Sequence, residues 1–274
     1  MTTSIIKNTK ETTPHIHSLT NFVTVNDCAN IILSAGGSPS MSLDPREAAE
    51  IAGLAKALVI NIGTLENEEA MYEAGKHCNQ LGIPVILDPV AAGASALRRE
   101  VCRYMMDHLK FAVIRGNISE IKYLALGTGA KNSVIDASTA DMITGENLKG
   151  TIEMAKALSL RSGAVIVISG KTDIVTDGKR VAILQNGHEI MTKITGTGCM
   201  LTALTGTYCG ANPNELYEAS VAATAAMGIA GERAYKKMLQ AKGGTLSFRT
   251  YLVDTIHFLT DEDIEKYAKK EELL

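Results

Sequence analysis

Ala57-Leu-Val-Ile-Asn-Ile-Gly63 is apolar and largely β-branched at successive positions, and it closes on a polar residue and a glycine. A strand with one wet face alternates apolar and polar residues. A strand that is apolar at every position is buried on both faces, as in a parallel sheet covered by helices. The same construction recurs in Pro84-Val-Ile-Leu-Asp-Pro89, Phe111-Ala-Val-Ile-Arg-Gly-Asn117 and Ala164-Val-Ile-Val-Ile-Ser-Gly170. Helical patterns of crossover length fill the gaps, at 66–81, 97–109, 118–126 and 151–162. The expectation is an α/β chain with a mostly parallel central sheet between helices.

After the fourth run the rhythm changes. Thr172–Val175, Lys179–Leu184 and His188–Lys193 read as short strands joined by Asp177-Gly178 and Asn186-Gly187, both strong hairpin signals. An antiparallel hairpin edge is therefore expected. Ile194-Thr-Gly-Thr-Gly-Cys199 then leads into small, apolar helical sequence, Met200–Gly210 and Pro213–Leu239. Thr260, with Asp263 in the first turn, opens a last helix. The Lys/Glu-rich tail Lys266–Glu271 reads as its solvated end.

No linker, low-complexity tract or repeat interrupts the 274 residues, so 1–274 is expected to be a single domain. The net charge is −3, Trp is absent and Phe numbers 4. That gives neither a basic field nor stacking platforms for nucleic acid, and nothing to hold an anionic membrane. The N-terminus lacks an apolar core, and no run approaches the ~20 apolar residues of a membrane span. Five cysteines without C-x-x-C spacing read as reduced thiols, hence a cytoplasmic protein.

In an open parallel sheet the ligand crevice lies beyond the carboxyl ends of the strands. Here those ends carry Asn61 and Gly63, Asp88, Arg115 with Asn117, and Ser169 with Gly170; Glu120 follows one helical turn past Asn117. Gly196-Thr197-Gly198-Cys199 joins a strand to a helix. Its glycines free the backbone to point N–H groups outward, and the helix start adds partial positive charge, an anion hole suited to a phosphoryl group in flight. Gly127-Thr-Gly-Ala-Lys-Asn-Ser133 lacks Walker A spacing and reads as a helix C-cap loop; no G-x-G-x-x-G follows the first strand. His15 and His17 alternate on one strand face without further metal-ligand spacing, which favours local hydrogen bonding.

Several blocks in order carry a resemblance: His17-Ser-Leu-Thr-Asn-Phe-Val23, Asp27-Cys-Ala-Asn30, Ala35-Gly-Gly-Ser-Pro-Ser-Met41, Val59–Leu65, Val85–Val90, Arg115-Gly-Asn-Ile-Ser-Glu120 and Ile194–Cys199. Together they are similar to the hydroxyethylthiazole kinase family of the ribokinase-like superfamily over nearly the whole chain. The resemblance implies a ribokinase-like three-layer fold and Mg²⁺- and ATP-dependent phosphorylation of 4-methyl-5-(2-hydroxyethyl)thiazole for thiamine salvage. It also implies a homotrimer with sites at subunit interfaces.

By matched position, Asn21, Val23, Met41, Gly63 and Gly196 would meet the thiazole. Arg115, Asn117 and Ser169 would meet ATP phosphates, and Asp88 and Glu120 would hold Mg²⁺. Cys199 falls at the catalytic position, where wider relatives carry Asp. A helix start favours thiolate, so Cys199 is either the general base or a small residue that shapes the site. Near the C-terminus Gly243-Gly-Thr-Leu-Ser-Phe248 stands where relatives often show Gly-Pro-Gly-Ser-Phe. The competing expectations are a pyrimidine or pyridoxal kinase, a hydrated-NAD(P)H dehydratase of the same fold, and a non-catalytic thiazole or nucleotide sensor.

Overall fold

The computed structural model describes residues 4–126, 143 and 147–273. The expected loop Gly127–Ser133 lies outside the described residues. The four apolar runs form β3 (Ala57–Asn61), β4 (Val85–Asp88), β5 (Val113–Asn117) and β6 (Val165–Ser169); β1 (His15–Leu19) and β2 (Ser38–Ser40) precede them. Then come β7 (Asp173–Thr176), β8 (Val181–Leu184) and β9 (Lys270–Leu273). They make one sheet in the order β2-β1-β3-β4-β5-β6-β7-β8-β9. Pairing is parallel from β2 through β6 and antiparallel from β6 through β9.

Because successive strand residues face opposite ways, each inner strand feeds two cores. Ala57 and Val59 join the cluster of α1 (Ile5–Thr12), α2 (Val25–Ser34), α8 (Thr197–Ala211), α9 (Leu216–Gln240) and α10 (Thr245–Phe258). Leu58 and Ile60 join the opposite cluster, with α3 (Ala48–Gly53), α4 (Glu68–Leu81), α5 (Ala96–His108), α6 (Ile118–Leu126) and α7 (Leu148–Ser162). The result is three layers.

The helix faces follow from crossover handedness. From β3 to β6 the chain steps one way across the sheet, and α4 to α7 all cover one face. From β1 to β2 it steps the other way, and α2 covers the opposite face. The reversal falls between β1 and β3, and their outgoing loops form the crevice.

Helix α8 is buried along most of its length and lies close to the sheet centre. A Cβ on Gly206 would sit 2.4 Å from Val59 Cγ2, so only glycine permits this approach. That contact sets the start of α8 above the strand ends.

Two expectations are corrected. His188–Lys193 is not a strand: His188 caps a 3-10 turn, Glu189–Lys193, through its own side chain to the Ile190 N–H at 3.2 Å. The tail is the end of a helix only at Lys266 and Tyr267. Helix α11 (Asp261–Tyr267) stops, and Lys270–Leu273 pairs antiparallel with β8 as the sheet's edge. The expected N-cap of α11 holds, with Thr260 and Asp263 forming a capping box. The hairpin at Asp177-Gly178 also forms, joining β7 to β8 with Gly178 at φ +87°. No helix among the described residues is long and apolar enough to cross a membrane.

Candidate active site

The site begins at the strand ends on either side of the β1/β3 reversal. Asn21, two residues past β1, donates through Nδ2 to Asn61 Oδ1 at 3.0 Å and to Cys199 Sγ at 3.5 Å. Its own Oδ1 accepts from the Thr24 N–H and hydroxyl, each at 3.2 Å. Asn61, the last residue of β3, donates to Asp88 Oδ2 at 2.8 Å and accepts from the Gly63 N–H at 2.9 Å. Thr202, one turn into α8, also donates to Asp88 Oδ2, at 2.7 Å.

Asp88 closes β4 and is fully buried. Its Oδ1 has no hydrogen-bond partner among the described residues. Arg115 lies 3.7 Å from Oδ2. Burial pushes the Asp88 carboxyl well above the usual carboxylate range, while Arg115 pulls it back and the nearby Glu120 charge adds to the rise. On its other side the Arg115 guanidinium donates to Ser169 Oγ, at the end of β6.

Glu120 is fixed by three backbone contacts. Oε2 accepts from the Asn117 N–H at 2.7 Å and Oε1 from the Ala91 N–H at 2.8 Å, while the Glu120 N–H donates to Asn117 Oδ1 at 2.9 Å. This reciprocal cap starts α6 and ties it to the loop after β4.

Gly196 takes φ +86°, a conformation that disfavours side chains, and a Cβ there would strike Thr24 Cγ2 at 2.7 Å. Gly198 has no room for one either, because Arg115 Nη1 would be 2.6 Å away. The guanidinium therefore lies directly against the first turn of α8. No side chain among the described residues caps that turn, so its first N–H groups remain available to an anion.

Most of the expected site residues thus come together: Asn21, Gly63, Asp88, Arg115, Asn117, Glu120, Ser169 and the 196–199 turn share one rim. Met41 stands half-buried against the α2/α8 cluster, as does Cys199. Val23 is 56% exposed and the adjoining Phe22 65%, so that wall of the site is open in the single chain. His15 and His17 both share hydrogen bonds with Ser40 Oγ, at 2.7 and 2.9 Å, one residue before Met41.

Four contributors escaped the sequence reading. Thr202 sits in an otherwise small, apolar helix. Arg98 on α5 donates to the carbonyls of Ile62, Val90 and Gly63 and staples the loops after β3 and β4. Asp173, at the start of β7, accepts from the Gly170 N–H at 2.8 Å; burial raises its pKa to about 7 against the pull of that N–H and of Arg115. Asp27 pairs with Arg249 on α10. Thr202 carries the one signal, a polar residue inside an apolar stretch, and nothing local says what any of the four faces.

An open helix start set against a buried acid and an arginine is the equipment of phosphoryl transfer. Residues 6–262 match the model of the Hydroxyethylthiazole kinase family, and the chain belongs to that family. It is 46% identical to the hydroxyethylthiazole kinase of Clostridium acetobutylicum over 97% of each chain. The solved hydroxyethylthiazole kinase of Pyrococcus horikoshii OT3 superposes with a TM-score of 0.83 at 33% identity, covering 98% of both chains. Staphylococcus aureus pyridoxal kinase, at 18% identity and a TM-score of 0.56, covers 79% of this chain and 86% of its own and shares the fold. The fold is thus the ribokinase-like one.

Proposed function

We propose that the chain transfers the γ-phosphoryl group of ATP to the hydroxyl of 4-methyl-5-(2-hydroxyethyl)thiazole, giving the phosphate used in thiamine salvage. The observation that carries this reading is the hydrogen-bonded line from Cys199 and Asn21 through Asn61 to Asp88, beside Arg115 and Ser169. It joins a substrate side to a phosphate side across the open start of α8.

In this reading Asn21, Val23, Met41, Gly63 and Gly196 form the thiazole pocket, with Met41 as its adaptable apolar wall. Arg115, Asn117 and Ser169 receive the ATP phosphates. The amides of Gly196, Thr197, Gly198 and Cys199 stabilise the transferring group, whose charge grows in the transition state. Cys199, within reach of the Asn21 amide, serves either as a thiolate that takes the proton of the attacking hydroxyl or as a small residue that shapes the site.

The donor set suits Mg²⁺. A buried carboxylate oxygen of Asp88 is unpartnered among the described residues, and each Glu120 oxygen accepts one N–H and retains a lone pair. Mg²⁺ characteristically takes one or two carboxylates and completes its shell with water and phosphate. Asp88 and Glu120 would hold it, and once bound it would neutralise charge on the phosphates.

The assembly is a homotrimer with sites at subunit interfaces, a reading supported by the exposed Phe22 and Val23 beside Asn21. The single sheet supports taking 1–274 as one kinase domain. A cytoplasmic location is the reading that five cysteines without a disulfide support.

The test is ADP release with Mg-ATP, with and without the thiazole, beside hydroxymethylpyrimidine and pyridoxal. Turnover confined to the thiazole is expected; turnover with another of these alcohols would overturn the pocket assignment. Light scattering checks the trimer.

A further inference from the structure

Asp27 lies in the first turn of α2 and Arg249 in the first half of α10, yet the two meet. Arg249 Nε donates to Asp27 Oδ1 at 2.6 Å, and a terminal guanidinium nitrogen contacts the same oxygen. The aspartate side chain is only 9% exposed, so its charge is poorly screened by water. It also adjoins the glycine turn: a Cβ built on Gly196 would lie 3.9 Å from Asp27 Oδ2. Thr24, held by Asn21, faces the same side of Gly196.

A bare carboxylate at this place would oppose the arrival of negative charge at the start of α8. The Arg249 guanidinium cancels it. Helix α10 also begins right after the turn at Lys242–Gly244, so the pair ties the end of the α9–α10 connection to the first turn of α2, beside Gly196.

We infer that Arg249 is a positioning residue for phosphoryl transfer, neutralising Asp27 beside the 196–199 turn and holding α10 against the first turn of α2. The inference rests on the kinase function proposed above. Its signature is electrostatic: loss of the arginine charge matters, and simultaneous loss of the aspartate charge restores what was lost.

The experiment compares the wild-type chain with R249K, R249M, D27N and D27N/R249M. Circular dichroism confirms folding, and steady-state kinetics are measured with Mg-ATP and the thiazole. R249M is expected to lose about ten- to hundredfold in kcat with little change in KM for the thiazole. R249K should stay near wild type, and D27N/R249M should recover most of the loss. R249M within about twofold of wild type, or a double variant no better than R249M, overturns the inference.

If the wild type shows no thiazole-dependent turnover, the kinase reading fails, and inorganic phosphate reads the charge at the turn instead. A phosphate-induced rise in Tm that is lost in R249M and regained in the double variant supports the pairing. Equal rises in all five proteins overturn it.

Discussion

Asn61 donates to Asp88 Oδ2 at 2.8 Å, and through this contact the end of β3 fixes the acid at the end of β4. The opposite end of the same carboxamide accepts from Asn21, so one side chain registers the loop after β1 against the buried acid. Asn61→Ala removes a donor to a fully buried carboxylate and should destabilise the fold by about 1–3 kcal/mol. Asn61→Asp should be worse, because it sets a second carboxylate against Asp88. Urea unfolding ranks the two; an N61D chain as stable as wild type would refute the ordering.

Gly198→Ala tests the contact between the α8 turn and Arg115. The added methyl would stand 2.6 Å from the Arg115 Nη1 position, so the guanidinium must move. KM for ATP should rise by about tenfold or more, since a small displacement of a phosphate-binding group is enough to lose its contact. KM for the thiazole should change far less. An unchanged KM for ATP would show that Arg115 does not meet the nucleotide from this position.

Burial raises the pKa of Asp173 to about 7 from an ordinary 3.8. The folded chain therefore favours the protonated acid. This contribution to stability is complete below pH about 4 and is lost as pH rises through about 7. Asp173→Asn keeps an acceptor for the Gly170 N–H and carries no charge. Relative to wild type it should be more stable at pH 8 and lose that advantage toward pH 4, at a slope on the order of 1 kcal/mol per pH unit between the two. Urea midpoints across this range supply the check, and a stability difference that stays flat with pH would refute the assignment. Asp88, raised by burial too, shares the sign.

Cys199→Ala should lower kcat by about 10²-fold or more if a Cys199 thiolate accepts the hydroxyl proton and becomes the thiol, with KM for both substrates nearly constant. Cys199→Asp supplies the base that wider relatives carry and should keep or raise the rate. A few-fold loss in the alanine variant would leave Cys199 as a shaping residue.

The inner strands were legible because double burial writes itself as an unbroken apolar run. Their polar ends were legible because a parallel sheet turns strand ends into a rim: Asn61, Asp88, Arg115 and Ser169 needed no motif to be placed together. Strand β9 left no such trace. Lys270-Glu-Glu-Leu273 is an exposed edge, where charged side chains discourage pairing with another chain and resemble a helix end. His188–Lys193 followed a glycine turn and alternated well enough for a strand, but the chain there must turn back toward the start of α8, and a 3-10 turn does so in few residues. Thr202, Arg98, Asp173 and Asp27 were illegible because nothing local marks what each of them faces. For two of them the partner is also remote in sequence, by 114 residues for Thr202 and Asp88 and 222 for Asp27 and Arg249.

Helices α2 and α4 leave the sheet on opposite faces, so the two lips of the crevice after β1 and β3 are anchored in different layers. A slide of one helix layer over the sheet can widen or narrow the mouth while every strand pairing stays intact. Packed layers tolerate shear of this kind more readily than they tolerate bending. The sheet then serves as a fixed bed and the helix layers as its adjustable jaws.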